Sequence, residues 1–321
     1  MAEKVIVARE IPATGLRLLE EAGHEVSVLS EDPPGRDALL EAIPGAAALL
    51  TTVTEKVDAQ ILDAAGDGLK IIANMAVGYD NIDISAATER GIAVTNTPGV
   101  LDETTADTAF MLLLAAARRL GEAERTLRAG EWTAWGPMQF TGPHVWGKTL
   151  GIVGMGRIGE AVARRGRGFG MNILYYARSE KPETERELGA QRRELDDLLR
   201  ESEFVSIHTP LTEETHHLIG ERELSLMGES SVLVNTSRGP VVDEAALAAA
   251  LSENRIFATG LDVYEEEPEV HPKLMELENA VLAPHIGSAS IETREKMAGM
   301  AAENIVAALN GETPPNCVNS L

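Results

Sequence analysis

The sequence is poor in cysteine, in cations and in long apolar runs. One of its 321 residues is cysteine, Cys317. No internal disulfide can form, which fits a reducing compartment, and a cytoplasmic protein is expected. Lys and Arg number 28 against 51 Asp and Glu, a formal net charge of −23. That surface repels phosphate backbones and anionic lipid, so neither nucleic acid nor membrane is expected as a partner. The acidity itself is read as a solubility feature or the mark of a salt-tolerant host. It also repels anionic substrates, so a site for one must supply local positive charge. The longest apolar run, "AFMLLLAAA" (109–117), is too short to span a bilayer and stops at Arg118-Arg119. The opening "MAEKVIVARE" lacks the charged-then-apolar pattern of a signal peptide. No Cys/His cluster or paired-histidine helix motif occurs, and no metal site is expected. His144, His216, His217 and His271 read as surface or loop residues.

What is present is a βα rhythm. "KVIVA" (4–8), "EVSVL" (25–29), "AAALLTT" (46–52), "KIIANM" (70–75) and "IAVTN" (92–96) read as buried parallel strands, with helix-like segments such as "ATGLRLLEEAG" (13–23) between them. After "NTPG" (96–99) the pattern predicts one long helix over about 102–130, then an irregular, aromatic-rich stretch over 131–148. The rhythm restarts at "TLGIVG" (149–154) and continues through "NILYYA" (172–177), "FVSIHT" (204–209), "SVLVNT" (231–236), "ATGLDV" (258–263) and "AVLAPH" (280–285). A last helix is expected over about 290–310. The predicted class is α/β, two doubly wound parallel-sheet (Rossmann-like) domains meeting near residue 99.

Within "TLGIVGMGRIGEAVARRGRGFGMNILYYARS" (149–179) a strand leads into Gly154-Met155-Gly156-Arg157-Ile158-Gly159 and a helix. Gly154 permits a tight turn, Gly156 lets the backbone approach a pyrophosphate, and Gly159 lets helix and strand pack closely. Phosphates then meet a helix N-terminus, where N–H groups and the dipole favour anions. The plainer reading is a glycine-rich packing turn. The next strand ends in Ala177-Arg178-Ser179, where an NAD site would place an acid on the ribose 2′-hydroxyl. Ala177 removes the repulsion of a 2′-phosphate, Arg178 supplies charge and Ser179 a donor. NADP(H) is therefore the expected cofactor, with NAD(H) the alternative if Arg178 is only a solvated surface residue. Other strand ends carry His208-Thr209-Pro210, Thr236-Ser237-Arg238-Gly239, Asp262 and His285. Taken singly, His285 would be a loop histidine, Arg238 the exposed residue of a tight turn, and "EEEP" (265–268) a solvated acidic turn.

Six blocks change that balance: "NMAVGYDNIDI" (74–84), "GMGRIG" (154–159), "HTPLTEETHHLI" (208–219), "VNTSRGPVVDEAAL" (234–247), "GLDVYEEEP" (260–268) and "LAPHIGSAS" (282–290). Through them the chain resembles the D-isomer-specific 2-hydroxyacid dehydrogenases over nearly its whole length. Through "AVGYDNID", "ILYYARS" and "APHIGSA" it is most similar to the glyoxylate/hydroxypyruvate reductases. The resemblance implies a flavodoxin-like substrate domain of residues 1–98 and 288–321, and a dinucleotide-binding domain of residues 99–287. It implies that Arg238 binds the substrate carboxylate, that His285 donates a proton to the carbonyl oxygen, and that Glu267, rather than Glu265 or Glu266, pairs with His285. Asp262 would hold the nicotinamide carboxamide, and backbone N–H groups of Val77 and Gly78 would hold the substrate carboxylate from the other domain. Cofactor contacts are expected from Gly154, Met155, Gly156, Arg157, Ile158, Ala177, Arg178, Ser179, Thr209, Pro210, Thr236, Ser237, Arg238, Asp262, His285 and Gly287.

The chemistry suits those residue types. Reduction of a 2-oxo acid needs a hydride donor, a proton donor and a cation. Histidine suits proton transfer near neutral pH, and the planar arginine fork suits an α-oxo carboxylate. The expected partners are a small 2-oxo acid and a second copy of the chain, a homodimer, with the apolar loop around Trp135, Met138 and Phe140 capping a pocket, from the neighbouring subunit by the resemblance. The alternatives are another D-2-hydroxyacid dehydrogenase, such as a short phosphoglycerate dehydrogenase, and a non-enzymatic dinucleotide-sensing relative. Against the latter stands the complete Arg238, Glu267 and His285 set. "EEEP" departs from the formate dehydrogenase pattern.

Overall fold

The computed structural model describes residues 2–31 and 33–320. It divides into two compact units, residues 1–101 with 289–321, and residues 102–288.

In the first unit strands and helices alternate: β1 (Lys4–Val7), α1 (Ala13–Glu21), β2 (Glu25–Val28), α2 (Arg36–Ala42), β3 (Ala48–Thr51), α3 (Ala59–Ala65), β4 (Ile71–Asn74), α4 (Ile84–Glu89) and β5 (Ala93–Thr95). The strands form one parallel sheet in the order β2-β1-β3-β4-β5, the flavodoxin-like order. β3 and β4 are buried along their whole length. Ile6, Leu49, Ile72 and Val94 of the sheet join Leu39, Ile43, Ile61 and Leu62 in one core. Asp58 and Asp83 start α3 and α4 by accepting backbone N–H groups of their first turns. The expectation of a buried strand fails at β2: it is the sheet edge, mostly exposed, with a partner strand on one side only. Its short alternating run supplies β propensity, but at the sheet edge only Val26 is half-buried.

The second unit begins with α5 (Asp102–Ala117) and α6 (Leu120–Arg128). The single helix expected over 102–130 breaks between them, at Arg119, which takes a left-handed φ of 50°. Arg119 then reaches Glu122 through Nε and Nη2 at 2.7 and 2.8 Å and lies over the Phe140 ring. The rest runs β6 (Thr149–Val153), α7 (Arg157–Gly168), β7 (Asn172–Tyr176), α8 (Pro182–Leu188), β8 (Gln191–Arg192), α9 (Leu195–Glu201), β9 (Phe204–Ile207), α10 (Glu221–Leu226), β10 (Val232–Asn235), α11 (Glu244–Ser252), β11 (Ala258–Leu261), α12 (Pro272–Glu276) and β12 (Ala280–Leu282). The seven strands are parallel, in the order β12-β11-β10-β9-β6-β7-β8. The order reverses between β6 and β9, which opens a crevice at their carboxyl ends. α5 and α7 cover one face with Phe110, Leu113, Ala161 and Val162 in a core with Ile152, Ile173 and Val234. α9, α10 and α11 cover the other. The chain returns to the first unit through α13 (Ile291–Leu309), whose first turn Ser290 caps. Among the described residues, no helix is long and apolar enough to cross a membrane.

Candidate active site

The crevice between β6 and β9 is shaped by glycine. Gly154 sits at φ 100°, and a Cβ there would lie 2.7 Å from the carbonyl carbon of His208 and 2.8 Å from Thr209 N. Only glycine lets the two strand ends approach so closely. A Cβ on Gly159 would lie 2.2 Å from the Gly154 carbonyl oxygen, so helix α7 seats directly on its own entry turn. At Gly156, the residue that starts α7, a Cβ would meet nothing within 4 Å. That open space faces the first-turn N–H groups, which have no acceptor within the helix. Met155 is buried beneath.

Two neighbouring strand ends each present a buried, unpartnered hydroxyl: Thr209 Oγ1 after β9 and Thr236 Oγ1 after β10. Buried polar atoms without partners are uncommon and ask for an explanation. An open helix N-terminus with the Thr209 strand end packed against its entry turn fits a phosphate-containing ligand. His208 adds no charge to this edge. Burial holds its imidazole well below the ordinary histidine value, and Ser206 Oγ lies 2.8 Å from Nε2.

After β7, Ala177 is half-buried and Arg178 and Ser179 are exposed. The turn is secured around them rather than through them. Arg192 places Nε and Nη2 on the Ala177 carbonyl oxygen at 3.2 and 3.0 Å. The buried Tyr175 hydroxyl accepts the Lys181 N–H at 2.9 Å and donates to Glu185 at 2.6 Å. In the loop after β9 the Thr212 hydrogen bond holds the Glu214 carboxyl below the ordinary glutamate range, with the positive charge of Arg178 a minor contributor.

The ends of β10, β11 and β12 carry the remaining groups. Asn235, at the end of β10, accepts Ser237 N–H and Oγ–H on Oδ1 at 3.0 and 2.9 Å, and its Nδ2 donates to the Arg238 carbonyl at 2.9 Å. This fixes the turn bearing Arg238, whose Nη1 donates to the Ser237 carbonyl at 2.8 Å. The next residue must be glycine, since a Cβ on Gly239 would sit 1.8 Å from the Tyr264 carbonyl carbon. The Arg238 turn is thereby pressed against the loop of the three glutamates.

In that loop the three acids separate. Glu265 Oε1 accepts the Glu244 N–H at 2.7 Å, and Oε2 lies 3.2 Å from His217 Nε2. Glu266 is exposed. Glu267 accepts the Tyr264 N–H on Oε1 at 3.0 Å and meets His285 Nδ1 with Oε2 at 2.7 Å. His285 has a φ of 53°, and the Glu267–Pro268 peptide is cis. The two side chains are each about one-third exposed, 31% and 33%. Asp262, 1% exposed, accepts the Ile286 and Gly287 N–H groups on separate oxygens, both at 2.7 Å. It thus holds the turn that contains His285, and burial raises its carboxyl above the ordinary aspartate range. Asn235, Tyr264 and Glu244 were not among the sequence candidates, although all three lie inside or beside the quoted blocks. His217, read as a loop histidine, is in a loop but carries the contact to Glu265.

Val77 and Gly78 belong to the first unit. Their carbonyls are engaged: Asn96 Nδ2 donates to Val77 O and Asn74 Nδ2 to Gly78 O, both at 2.8 Å. Asn81 Nδ2 ties the same loop to Thr52 O and Glu55 O at 2.8 and 2.9 Å.

Known proteins resemble this chain over most of its length. Residues 110–287 match the family described as D-isomer specific 2-hydroxyacid dehydrogenase, NAD binding domain. A glyoxylate reductase of Thermococcus litoralis is 54% identical over 325 residues, spanning 99% of this chain and 97% of the relative. Among solved structures, a protein of Thermus thermophilus superimposes with a TM-score of 0.93 at 47% identity, covering 98% of this chain and 100% of its own. An NADPH-dependent glyoxylate/hydroxypyruvate reductase of Sinorhizobium meliloti, solved with NADP and malonate, gives a TM-score of 0.85 at 34% identity, over 99% and 97% of the two chains.

Proposed function

The chain belongs to the D-isomer-specific 2-hydroxyacid dehydrogenase family, and from that premise we propose that it reduces glyoxylate, and hydroxypyruvate beside it, to the 2-hydroxy acid with NADPH as preferred cofactor. The observation that carries the reading is the 2.7 Å contact between His285 Nδ1 and Glu267 Oε2. A carboxylate on Nδ1 fixes the ring's orientation and balances the charge of an imidazolium, which leaves Nε2 to give its proton to the substrate carbonyl oxygen. Arg238 pairs its planar fork with the substrate carboxylate and draws charge from the adjacent carbonyl. Val77 and Gly78 are assigned to the same carboxylate through their N–H groups. The peptide planes support this: the Gly78 N–H shares its plane with the Val77 carbonyl held by Asn96, and the Val77 N–H shares its plane with the Ala76 carbonyl, which accepts the Thr97 N–H at 2.8 Å. The nicotinamide, when bound, supplies the hydride.

The dinucleotide-binding domain expected over residues 99–287 is taken to be the compact unit 102–288, and the substrate domain expected over 1–98 and 288–321 the unit 1–101 with 289–321. The α7 N-terminus would hold the pyrophosphate through Gly156, Arg157 and Ile158, and Thr209, Pro210, Thr236 and Ser237 would line the crevice. Arg178 and Ser179 would take the 2′-phosphate, with Ala177 leaving room for it. Asp262 and Gly287 would border the nicotinamide. The named activities of the Thermococcus litoralis and Sinorhizobium meliloti relatives support this reading, the latter solved with NADP.

We also assign a homodimer. Trp132, Trp135, Met138 and Trp146 of the irregular arm are 52%, 78%, 79% and 75% exposed. A 910 Å³ cavity lies between this arm and α5, lined by Leu114, Phe140, Val145 and Phe169. Apolar surface on this scale is unusual on a monomer. The lone Cys317 supports a cytoplasmic setting.

The test is a kcat/KM panel of 2-oxo acids with NADPH and NADH. Glyoxylate with NADPH should lead it. No turnover of any 2-oxo acid would contradict the enzyme assignment, and a lead for a phosphorylated or bulky substrate would contradict the specificity.

A further inference from the structure

A fourth carboxylate stands behind the three glutamates. Glu244, in the first turn of α11, is 6% exposed. Its Oε1 accepts the Glu265 N–H at 2.6 Å and its Oε2 accepts the His271 N–H at 3.2 Å. Its own N–H donates back to Glu265 Oε1 at 2.7 Å. One side chain therefore grips both ends of the loop 265–271, and Glu267 lies between the two grips.

Helix α11 does not need this carboxylate. Asp243 already caps it, accepting the Ala246 N–H at 2.9 Å. The donors that the Glu244 carboxylate meets are backbone groups of the loop. Burying a carboxylate is costly unless donors replace its water, and burial does raise the Glu244 pKa against the pull of those two N–H groups. What the loop gains is a fixed position for Glu267 Oε1 under Tyr264 N and Oε2 against His285.

We propose that Glu244 is a positioning residue for proton transfer, acting through Glu267 on His285. This rests on the assignment of Glu267 and His285 as the proton-donating pair. Glu244→Gln keeps the shape but turns an amide NH2 toward one of the two backbone N–H groups, which cannot accept it, so one grip opens. Because proton transfer is sensitive to sub-ångström placement, the single-turnover rate of glyoxylate reduction should fall about 10- to 100-fold. The NADPH dissociation constant should stay near wild type, and the thermal midpoint should fall by only a few degrees for the one lost acceptor.

A double-mutant cycle with Glu267→Gln decides the matter. If Glu244 acts through Glu267, Glu244→Gln should slow the Glu267→Gln enzyme no further. Multiplying effects would overturn the proposal in favour of a general structural role, as would a wild-type rate in Glu244→Gln alone. A wild-type rate in Glu267→Gln would instead overturn the acid-pair assignment, and the proposal with it. Should Glu244→Gln fail to fold, Glu265→Gln, which weakens the same brace from its more exposed side, takes its place in the cycle.

Discussion

After β7 the chain runs out into Ala177, Arg178 and Ser179, the last two exposed and secured only through neighbours such as Arg192 and Tyr175. Around the turns after β11 and β12 the carboxylates are committed: Asp262 to Ile286 and Gly287, Glu267 to Tyr264 and His285, and Glu265 and the Glu244 of α11 to each other's backbone. The difference follows from what each turn is assigned to do. A cation on a long side chain can find a phosphate from many rotamers and needs little fixed geometry. A proton donor must be held within about 0.5 Å of its productive position, so its supports are rigid and in part buried. Selectivity for the cofactor can therefore sit on an open loop while the chemistry sits on a braced one.

Changes at the braced end should bring the largest losses. His285→Asn removes the proton donor, and kcat for reduction should fall about 100- to 10,000-fold with NADPH binding retained. An isothermal titration beside the rate separates these, and loss of binding in parallel would mean that the histidine serves the cofactor instead. Gly239→Ala comes next. Its methyl group would collide with Tyr264 backbone, so the Arg238 turn and the glutamate loop must separate at a cost of about 1–3 kcal/mol or more. The thermal midpoint should drop, and an unchanged midpoint would mean that the two loops do not press together.

Asp262→Asn should cost about 1–3 kcal/mol, because one of two backbone N–H groups loses its acceptor. It should also flatten a pH dependence. Burial raises the Asp262 pKa above its ordinary 3.8, so the folded chain takes up the proton more readily than the unfolded one. Its contribution to stability is full below 3.8 and is lost as pH rises through the raised value. Denaturant titrations of the two proteins across the acid range should show the stability difference between wild type and Asp262→Asn shifting against wild type as pH rises through that value. This lies over the opposite slope of carboxylates with lowered pKa, such as Asp58 and Asp196, common to both. The smallest effect on chemistry is expected far from both turns: Trp135→Ser with Met138→Ser should weaken self-association in sedimentation velocity while kcat per chain changes little at high protein concentration. A monomeric wild type would contradict the homodimer.

How much of this could be read in the sequence depended on distance along the chain. The glycine turn after β6 and the arginine after β7 are local patterns, and their placement at strand ends follows from the βα rhythm. The supports are not local. Glu244 and Glu265, or Asp262 and Gly287, meet only through the packing of separate strands and helices. The run of three glutamates shows the same limit, since their separate roles appear only once the loop closes onto Tyr264 and His285. The break at Arg119 escaped because both sides read as helix without Pro or Gly between. It is set by the reach of Arg119 to Glu122 and over Phe140.

The division between an open selective turn and a braced chemical one is tested most directly by kcat/KM for glyoxylate with NADPH and with NADH, in wild type, Arg178→Ala and Glu267→Gln. Arg178→Ala should lose about 10- to 150-fold with NADPH, the value of a charge-assisted contact of about 1.5–3 kcal/mol, and little with NADH. Glu267→Gln should lose by the same factor with both. Equal losses with the two cofactors in Arg178→Ala would contradict the NADPH assignment. A loss confined to one cofactor in Glu267→Gln would contradict the separation of the two turns.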